Sequence, residues 1–102
     1  MNNDRLLSFL GLCKRANSLI SGAETVTKAI TDGKALLVLY ADDVSENSLK
    51  RVLKEAQAQD VSARRLPRSK EELSFALGKH CGIVAVTDAG FAKKILTLLS
   101  EN

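Results

Sequence analysis

The chain has 102 residues, of which 45% are hydrophobic and 26% are charged, and its net charge is +3. This length suits one domain, and we expect residues 1–102 to share a single core. The apolar fraction excludes an intrinsically disordered chain, and the small net charge excludes a surface coated with basic residues for nonspecific nucleic-acid binding. No apolar run approaches the roughly 20 residues that span a bilayer, so we expect no membrane segment.

Two features of the sequence indicate a cytoplasmic protein. The first apolar run, residues 6–12, is interrupted by Ser8 and Gly11, and it does not have the form of a secretory signal. Cys13 and Cys81 lack the spacing of metal ligands, and His80 is the only histidine, so these residues cannot complete a zinc site. Free, buried thiols in a reducing compartment are therefore expected, with no bound metal and no cofactor.

Helical and strand patterns alternate along the chain. The periodicity predicts helices over 4–16 and 23–32, followed by helices that begin after Ser45, Ser69 and Asp88. Strands are predicted over 19–21, 35–41, 61–66 and 83–87. The second and fourth strands are apolar throughout, as expected for strands that helices cover on both faces. The sequence therefore predicts a three-layer α/β/α sandwich with a four-stranded mixed sheet and the order αβαβαβαβα.

Capping residues mark the predicted helix ends. Ser45, Ser69 and Asp88 are N-cap residues, and Glu72 completes a capping box with Ser69. Gly33 is expected to end the second helix, because a glycine readily adopts the left-handed conformation found there.

No arrangement of residues indicates catalysis. The sequence lacks a glycine-rich phosphate-binding loop, and no nucleophile motif accompanies the single histidine. Asp42 and Asp43 follow a buried strand, where α/β sheets often bind ligands, so a metal or phospho-acceptor site is one interpretation. The other is that both begin the turn into the next helix and favour its positive N-terminus. We favour the second interpretation and predict a protein without enzymatic activity.

The segment LISGAETVTKAITDG contains the most informative residues. A short strand passes through Gly22 into a helix whose first amides point outward with partial positive charge, and glycine lets another backbone approach closely. Lys28 lies one turn further and is expected to project toward the same end. An exposed helix with an i,i+4 pair between Glu24 and Lys28 is the alternative. The amides of the first turn belong to Ala23, Glu24 and Thr25.

This segment resembles a family signature. GAETVTKA, residues 22–29, is similar to the Gly-x-Asn-Glu-x-x-Lys signature of the kink-turn-binding ribosomal protein family, which includes the L-seven-Ae, L-thirty and Gadd-like proteins. The similarity covers nearly the whole chain and includes LLVLYADDVSEN and the RRLP strand end. GLCKRANSLISG and DAGFAKKI are most similar to the bacterial YlxQ-like branch. The resemblance implies the same three-layer fold and an RNA-binding role linked to the ribosome or translation.

The resemblance also assigns roles to particular residues. In that family the helix start inserts into sharply bent RNA and reads tandem sheared G·A pairs, with Lys28 contacting RNA and Gly22 permitting close approach. The loop between the fourth helix and the fourth strand covers an extruded base. In this chain that loop corresponds to residues 78–83 and includes His80, Cys81 and Ile83.

Two features depart from the family pattern. Glu24 stands where the family usually has Asn, and Thr25 stands where it has Glu; the loop over 78–82 is also shorter than the archaeal form. Because carboxylates, hydroxyls and amides present different donors and acceptors to a guanine edge, we expect altered base recognition.

We therefore predict a monomer that binds structured RNA, with ribosomal RNA as a candidate. The predicted core of the site comprises Gly22, Ala23, Glu24, Thr25 and Lys28. Lys14, Arg15 and Lys79 are candidate phosphate contacts, and the basic cluster from Arg64 to Lys70 is a candidate extension. A protein-interaction module that docks on a translation factor or a ribosomal protein is the alternative.

Overall fold

The computed structural model describes residues 4–101, and within them five helices and four strands follow one another in the predicted order. The helices are α1 (Arg5–Arg15), α2 (Ala23–Thr31), α3 (Glu46–Ala58), α4 (Lys70–Leu77) and α5 (Ala89–Ser100). The strands are β1 (Leu19–Ser21), β2 (Leu37–Tyr40), β3 (Ser62–Arg65) and β4 (Ile83–Val86). Three strands are shorter than predicted, since element ends are poorly determined by a hydrophobic pattern. No helix in this range is long and apolar enough to cross a membrane.

The strands form one mixed sheet in the order β1-β4-β2-β3. Strand β4 runs antiparallel to both β1 and β2, whereas β2 and β3 are parallel. Tyr40 is paired with Ile83 on one side and with Arg65 on the other, and Ser21 is paired with Val84. The last residues of β1, β2 and β3 therefore lie beside the first residues of β4. We call this edge the Ile83 end of the sheet.

Both faces of the sheet are covered, which confirms the predicted three layers. Because side chains alternate along a strand, Leu39 and Val84 face α1, α4 and α5, while Val38 and Ala85 face α2 and α3. Burial of each large aliphatic side chain contributes about 1.5–3 kcal/mol. The largest of the fully buried helical side chains are Leu10, Ile30, Leu73, Ile95, Val26 and Val52.

Four helices end in the same hydrogen-bonded turn. In each, a residue one or two positions beyond the helix has a positive φ, and the next amide bonds back to a carbonyl five residues earlier, as in Lys34 to Ala29 at 2.9 Å. Gly33 confirms the predicted end of α2, with φ +76°. The other three turns have φ between 58° and 67°, and two of them use residues other than glycine. These residues are Asn17, Asp60 and Gly78.

The helix starts agree with the predicted caps, with one exception. Ser69 and Glu72 form the complete capping box, and Asp88 accepts from the Phe91 amide at 2.8 Å. Ser45 occupies the N-cap position of α3, but its side chain makes no capping hydrogen bond. The expectation for Asp43 also changes, because its carboxylate accepts from the backbone amide of Lys70 at 2.8 Å. Asp43 thus satisfies the start of α4 rather than the start of α3.

A partly buried ion pair joins the start of α1 to the segment that precedes α4. Arg68 donates to the Asp4 carboxylate, and the two side chains are only 20% and 19% exposed. The Arg68 guanidinium holds the pKa of Asp4 below its usual value, despite the opposing effect of desolvation. Asp4 also accepts from the Leu7 amide and so caps α1. A second ion pair, between Arg5 and Glu101, lies at the surface, and its side chains are 64% and 48% exposed, respectively.

We expect Asp4→Asn to lower the free energy of unfolding at pH 7 by about 1–3 kcal/mol, because the charge-assisted bond is lost while the N-cap is kept. A carboxylate with a lowered folded pKa contributes stability above the unfolded pKa of about 3.9 and loses that contribution as the pH falls through the folded value. The difference between variant and wild type should therefore shrink in urea titrations below about pH 4. Arg5→Ala is the control, with an expected change under about 0.5 kcal/mol. Equal effects of both substitutions would contradict this account.

Cys13 and Cys81 are free and buried, as predicted. Burial raises the pKa of the Cys13 thiol to about 11, with a further contribution from Asp88. Burial also raises the pKa of Cys81, opposed by the charges of Lys79 and Lys14. Since the thiolate is the reactive form, neither residue should react while the protein is folded.

A thiol reagent at pH 8 should therefore label the folded protein only slowly and should label both cysteines at once after unfolding without reductant. Mass spectrometry of the labelled protein gives the count. Rapid labelling of either residue in the folded state would contradict the burial described above.

Candidate nucleic-acid interface

Gly22 connects the sheet to α2. Its amide donates to the Ile83 carbonyl at 3.0 Å, continuing the ladder between β1 and β4. Its carbonyl accepts from the Val26 amide at 2.8 Å and so begins the helix. The three amides between them, in the first turn of α2, have no acceptor within the helix, because the preceding residues are not helical. This turn therefore presents donors and the positive end of the helix dipole at the Ile83 end of the sheet.

The conformation of Gly22 explains why this position is a glycine. Its φ of 100° and ψ of 137° lie in a region that side chains disfavour. Space is not the constraint, since an added Cβ would find only Thr25 Oγ1, at 3.8 Å. The backbone is therefore open to a ligand on this side.

The side chains of the predicted core are mostly exposed. Glu24 and Thr25 are exposed, whereas Ala23 is half-buried against the α2–α3 side of the core. The Lys28 side chain is 77% exposed, and its Nζ lies 3.1 Å from a carboxylate oxygen of Asp32. The alternative pairing with Glu24 is therefore wrong. So is the expectation that Lys28 projects toward the first turn, because the ammonium turns toward the end of the helix.

The loop over 78–82 lies beside the first turn of α2. Pairing of Ser21 with Val84 brings the two segments together, and the Ala41 amide donates to the Gly82 carbonyl at 2.9 Å. The Ser74 hydroxyl bonds both the amide and the carbonyl of Cys81, each at 3.0 Å. Sequence reasoning did not single out Ser74, because a serine within a helix gives no signal of its long-range partner.

The predicted residues of this loop fall into two groups. Lys79 and His80 are exposed, and their side chains point to solvent. Cys81 and Ile83 are 5% and 2% exposed and belong to the core. The prediction that these two residues line the site therefore applies only to their backbone. Their burial follows from position, since each lies where the chain enters β4.

The two basic residues near the end of α1 differ in their contacts. Lys14 Nζ donates to the Leu77 carbonyl at 2.6 Å, which places a cation at the C-terminal end of α4. This contact gives Lys14 a role in packing that the sequence did not reveal. Arg15 is exposed and reaches toward Gly11, where its Nη1 lies 3.7 Å from the position of an added Cβ.

The basic cluster from Arg64 to Lys70 does not act as one patch. Arg68 is held by Asp4, whereas Arg64 is exposed. Arg65 donates to the Asp42 carbonyl at 3.4 Å. The Lys70 stem lies over Gly82, 3.1 Å from the position of an added Cβ, and thereby joins the cluster to the loop. Among residues 4–101 no group of three or more potential metal-ligating side chains forms around Asp42 and Asp43.

Known proteins resemble this chain in sequence over most of its length. "RNA-binding protein YlxQ" of Bacillus subtilis (strain 168) is 38% identical over 91 residues, covering 88% of this chain and 90% of that protein. "RNA-binding protein YlxQ" of Enterococcus faecium is 34% identical over 98 residues, covering 96% of this chain and 94% of that protein.

Two solved structures superimpose on this chain over most of its length. A protein of unknown function from Bacillus halodurans superimposes with a TM-score of 0.86 at 32% identity, covering 94% of this chain and 97% of that one. The 15.5kD RNA binding protein of Giardia lamblia superimposes with a TM-score of 0.73 at 18% identity, covering 99% and 90%, and shows likeness of fold. The sequence profile of the ribosomal protein L7Ae/L30e/S12e/Gadd45 family matches residues 4–96. The chain therefore belongs to the ribosomal protein L7Ae/L30e/S12e/Gadd45 family.

Proposed function

We propose that this protein binds structured RNA, without catalysis, at the Ile83 end of the sheet. The observation that carries the proposal is the first turn of α2, whose unpaired amides lie beside the loop over 78–82 with its exposed Lys79 and His80. Membership of a ribosomal protein family and two relatives named as RNA-binding proteins support the same function. We further propose that the ligand is a bent RNA, either like a kink-turn or of another kind, with ribosomal RNA as a candidate source.

The two segments would act on different parts of the RNA. Backbone amides at the start of α2 suit phosphate oxygens or base-edge acceptors, and Gly22 lets the RNA approach that backbone. The side chains of Lys79 and His80 can contact phosphates. The backbone of Cys81 can cover an extruded base. Lys28 would exchange its exposed bond to Asp32 for an RNA contact. That exchange costs little, because surface pairs of this kind contribute about 0–1 kcal/mol.

The wider proposal is a cytoplasmic monomer that works on or near the ribosome. A docking module for a translation factor or a ribosomal protein remains the second candidate, because the half-buried, hydrogen-bonded loop could equally present a fixed surface to a protein. RNA is the better match to unpaired amides beside the exposed Lys79. The two candidates can be separated by capturing the protein from cells and sequencing the RNA that it retains. If the protein binds RNA, we expect defined RNA sequences and no stable protein partner.

We expect Lys28→Ala to weaken binding to a kink-turn RNA by about 1.5–3 kcal/mol, the typical value of a charge-assisted contact. The matched control is Lys34→Ala, which removes an equal charge from an exposed site beyond the other end of α2. Affinity should also fall with salt with a log–log slope near −2 to −4, as for about three or four phosphate contacts. Equal RNA affinities of the Lys28 and Lys34 variants, at unchanged melting temperature, would remove Lys28 from the site.

The salt dependence has its own contradicting outcome. A log–log slope of affinity against salt near zero would favour the protein-docking candidate.

We expect the wild type to bind a standard kink-turn weakly or to prefer another bent RNA, because Glu24 and Thr25 depart from the family signature. Thr25 offers a hydroxyl where a carboxylate would accept from a guanine edge, and Glu24 places negative charge where an amide would donate and accept. The double substitution Glu24→Asn with Thr25→Glu should tighten kink-turn binding by about 1–3 kcal/mol.

Net charge is unchanged by the double substitution, so nonspecific attraction cannot explain a gain. Glu24→Asn alone is the control, since it removes the repulsive charge without supplying the acceptor. Tight binding by the wild type, with no gain in the double variant, would show that specificity does not depend on these two positions.

A further inference from the structure

A groove on the surface between α1 and α4 is not used by the proposed RNA site. The two helices run parallel, because Asp4 meets Arg68 at their starts and Lys14 meets Leu77 at their ends. Gly11 lies on the floor, close enough that an added Cβ would contact the Ala76 carbonyl at 3.5 Å. The groove encloses about 510 Å³, within the roughly 300–1,000 Å³ of small-ligand sites.

An exposed aromatic ring forms one wall. Phe75 lines the groove and is 90% exposed, although the neighbouring Leu73 and Leu77 of the same helix are buried. A ring with this exposure does not pack into the core. An aromatic face in this state is available to stack on a planar ligand.

Helix α1 supplies a guanidinium to the same groove. Arg15 lines the same groove, and its Nη1 rests above Gly11, which has no side chain to displace it. Among the ion pairs of residues 4–101, none involves Arg15. An aromatic ring and a guanidinium are the two side-chain groups on which unpaired nucleobases commonly stack.

The groove extends along α4 to Ala76, near the end of the helix that leads into the proposed RNA site. Lys14 bonds to the Leu77 carbonyl, and Leu77 directly precedes the loop over 78–82 with its exposed Lys79. A strand of RNA leaving that loop would meet Arg15 and Phe75 next.

The far end of the groove is acidic and constrains the ligand. Asp4 is paired with Arg68, while Glu72 interacts with the same guanidinium only electrostatically and accepts a hydrogen bond from the Ser69 amide. A carboxylate repels phosphate but accepts from exocyclic amino groups. The base edge, and not the backbone, is therefore expected at Glu72.

We propose that this groove binds one unpaired nucleobase, stacked between the Phe75 ring and the Arg15 guanidinium. Bases with an exocyclic amino group are favoured over uracil because of Glu72. The proposal rests on the proposed function, since the base belongs to the RNA bound at the Ile83 end of the sheet.

The test uses a bent RNA with and without a single-stranded adenosine extension that carries one 2-aminopurine. Stacking should quench the 2-aminopurine fluorescence in the wild type and not in Phe75→Ala. Affinity for the extended RNA should fall about tenfold in Phe75→Ala and be kept in Phe75→Trp, while the RNA without extension binds all variants equally. Leu36→Ala, at a 45% exposed leucine, is the control for loss of surface apolar area. A uridine extension should bind more weakly than the adenosine extension.

The outcomes separate the two proposals. Binding of the RNA without extension, together with no effect of Phe75→Ala on the extended RNA, would overturn the base site and leave the proposed function intact. Failure of the wild type to bind any RNA would overturn both. If Phe75→Ala instead changed the oligomeric state or abolished a complex with another protein, without an effect on RNA binding, the groove would be a protein-docking surface. That result would overturn the base site.

Discussion

The hydrogen bond from the Gly22 amide to the Ile83 carbonyl fixes where α2 begins relative to the sheet. Strand β1 has only three residues, so this bond and the ladder to β4 are what hold the first turn of α2 against the loop over 78–82. The same bond requires a backbone conformation that favours glycine. The exposed donors of α2 thus have a defined position because a strand edge, and not a flexible loop, carries them.

Burial of the sheet on both faces determines where function can reside. The two central strands are covered by α1, α4 and α5 on one side and by α2 and α3 on the other, so the side chains of β2 and β4 belong to the core. A ligand can therefore reach this central part of the sheet only at the strand ends, and elsewhere it can bind in the grooves between helices. One proposed site lies at strand ends and the other lies in a groove between helices. Between them, the cation of Lys14 contacts the end of α4 at the Leu77 carbonyl.

The sequence predicts local features better than contacts between distant elements. Element order, the Ser69–Glu72 box and the end of α2 at Gly33 depend on neighbouring residues, and each was predictable from spacing. The ties from Arg68 to Asp4 and from Ser74 to Cys81 depend on how the helices pack, and no periodicity encodes them. For the site, the signature drew attention to Gly22 at the start of α2, where the structure has a backbone conformation that favours glycine. It could not predict the direction taken by the flexible Lys28 side chain.

Helices α1 and α4 are joined at both ends, by Arg68 at their starts and by Lys14 at their ends. Neither helix can separate from the sheet without breaking a contact made by the other. Their amides should therefore exchange with solvent deuterium as one cooperative unit, with similar protection, although they are far apart along the chain. Because the loop over 78–82 follows α4 directly, its order is linked to the integrity of the first helix of the protein.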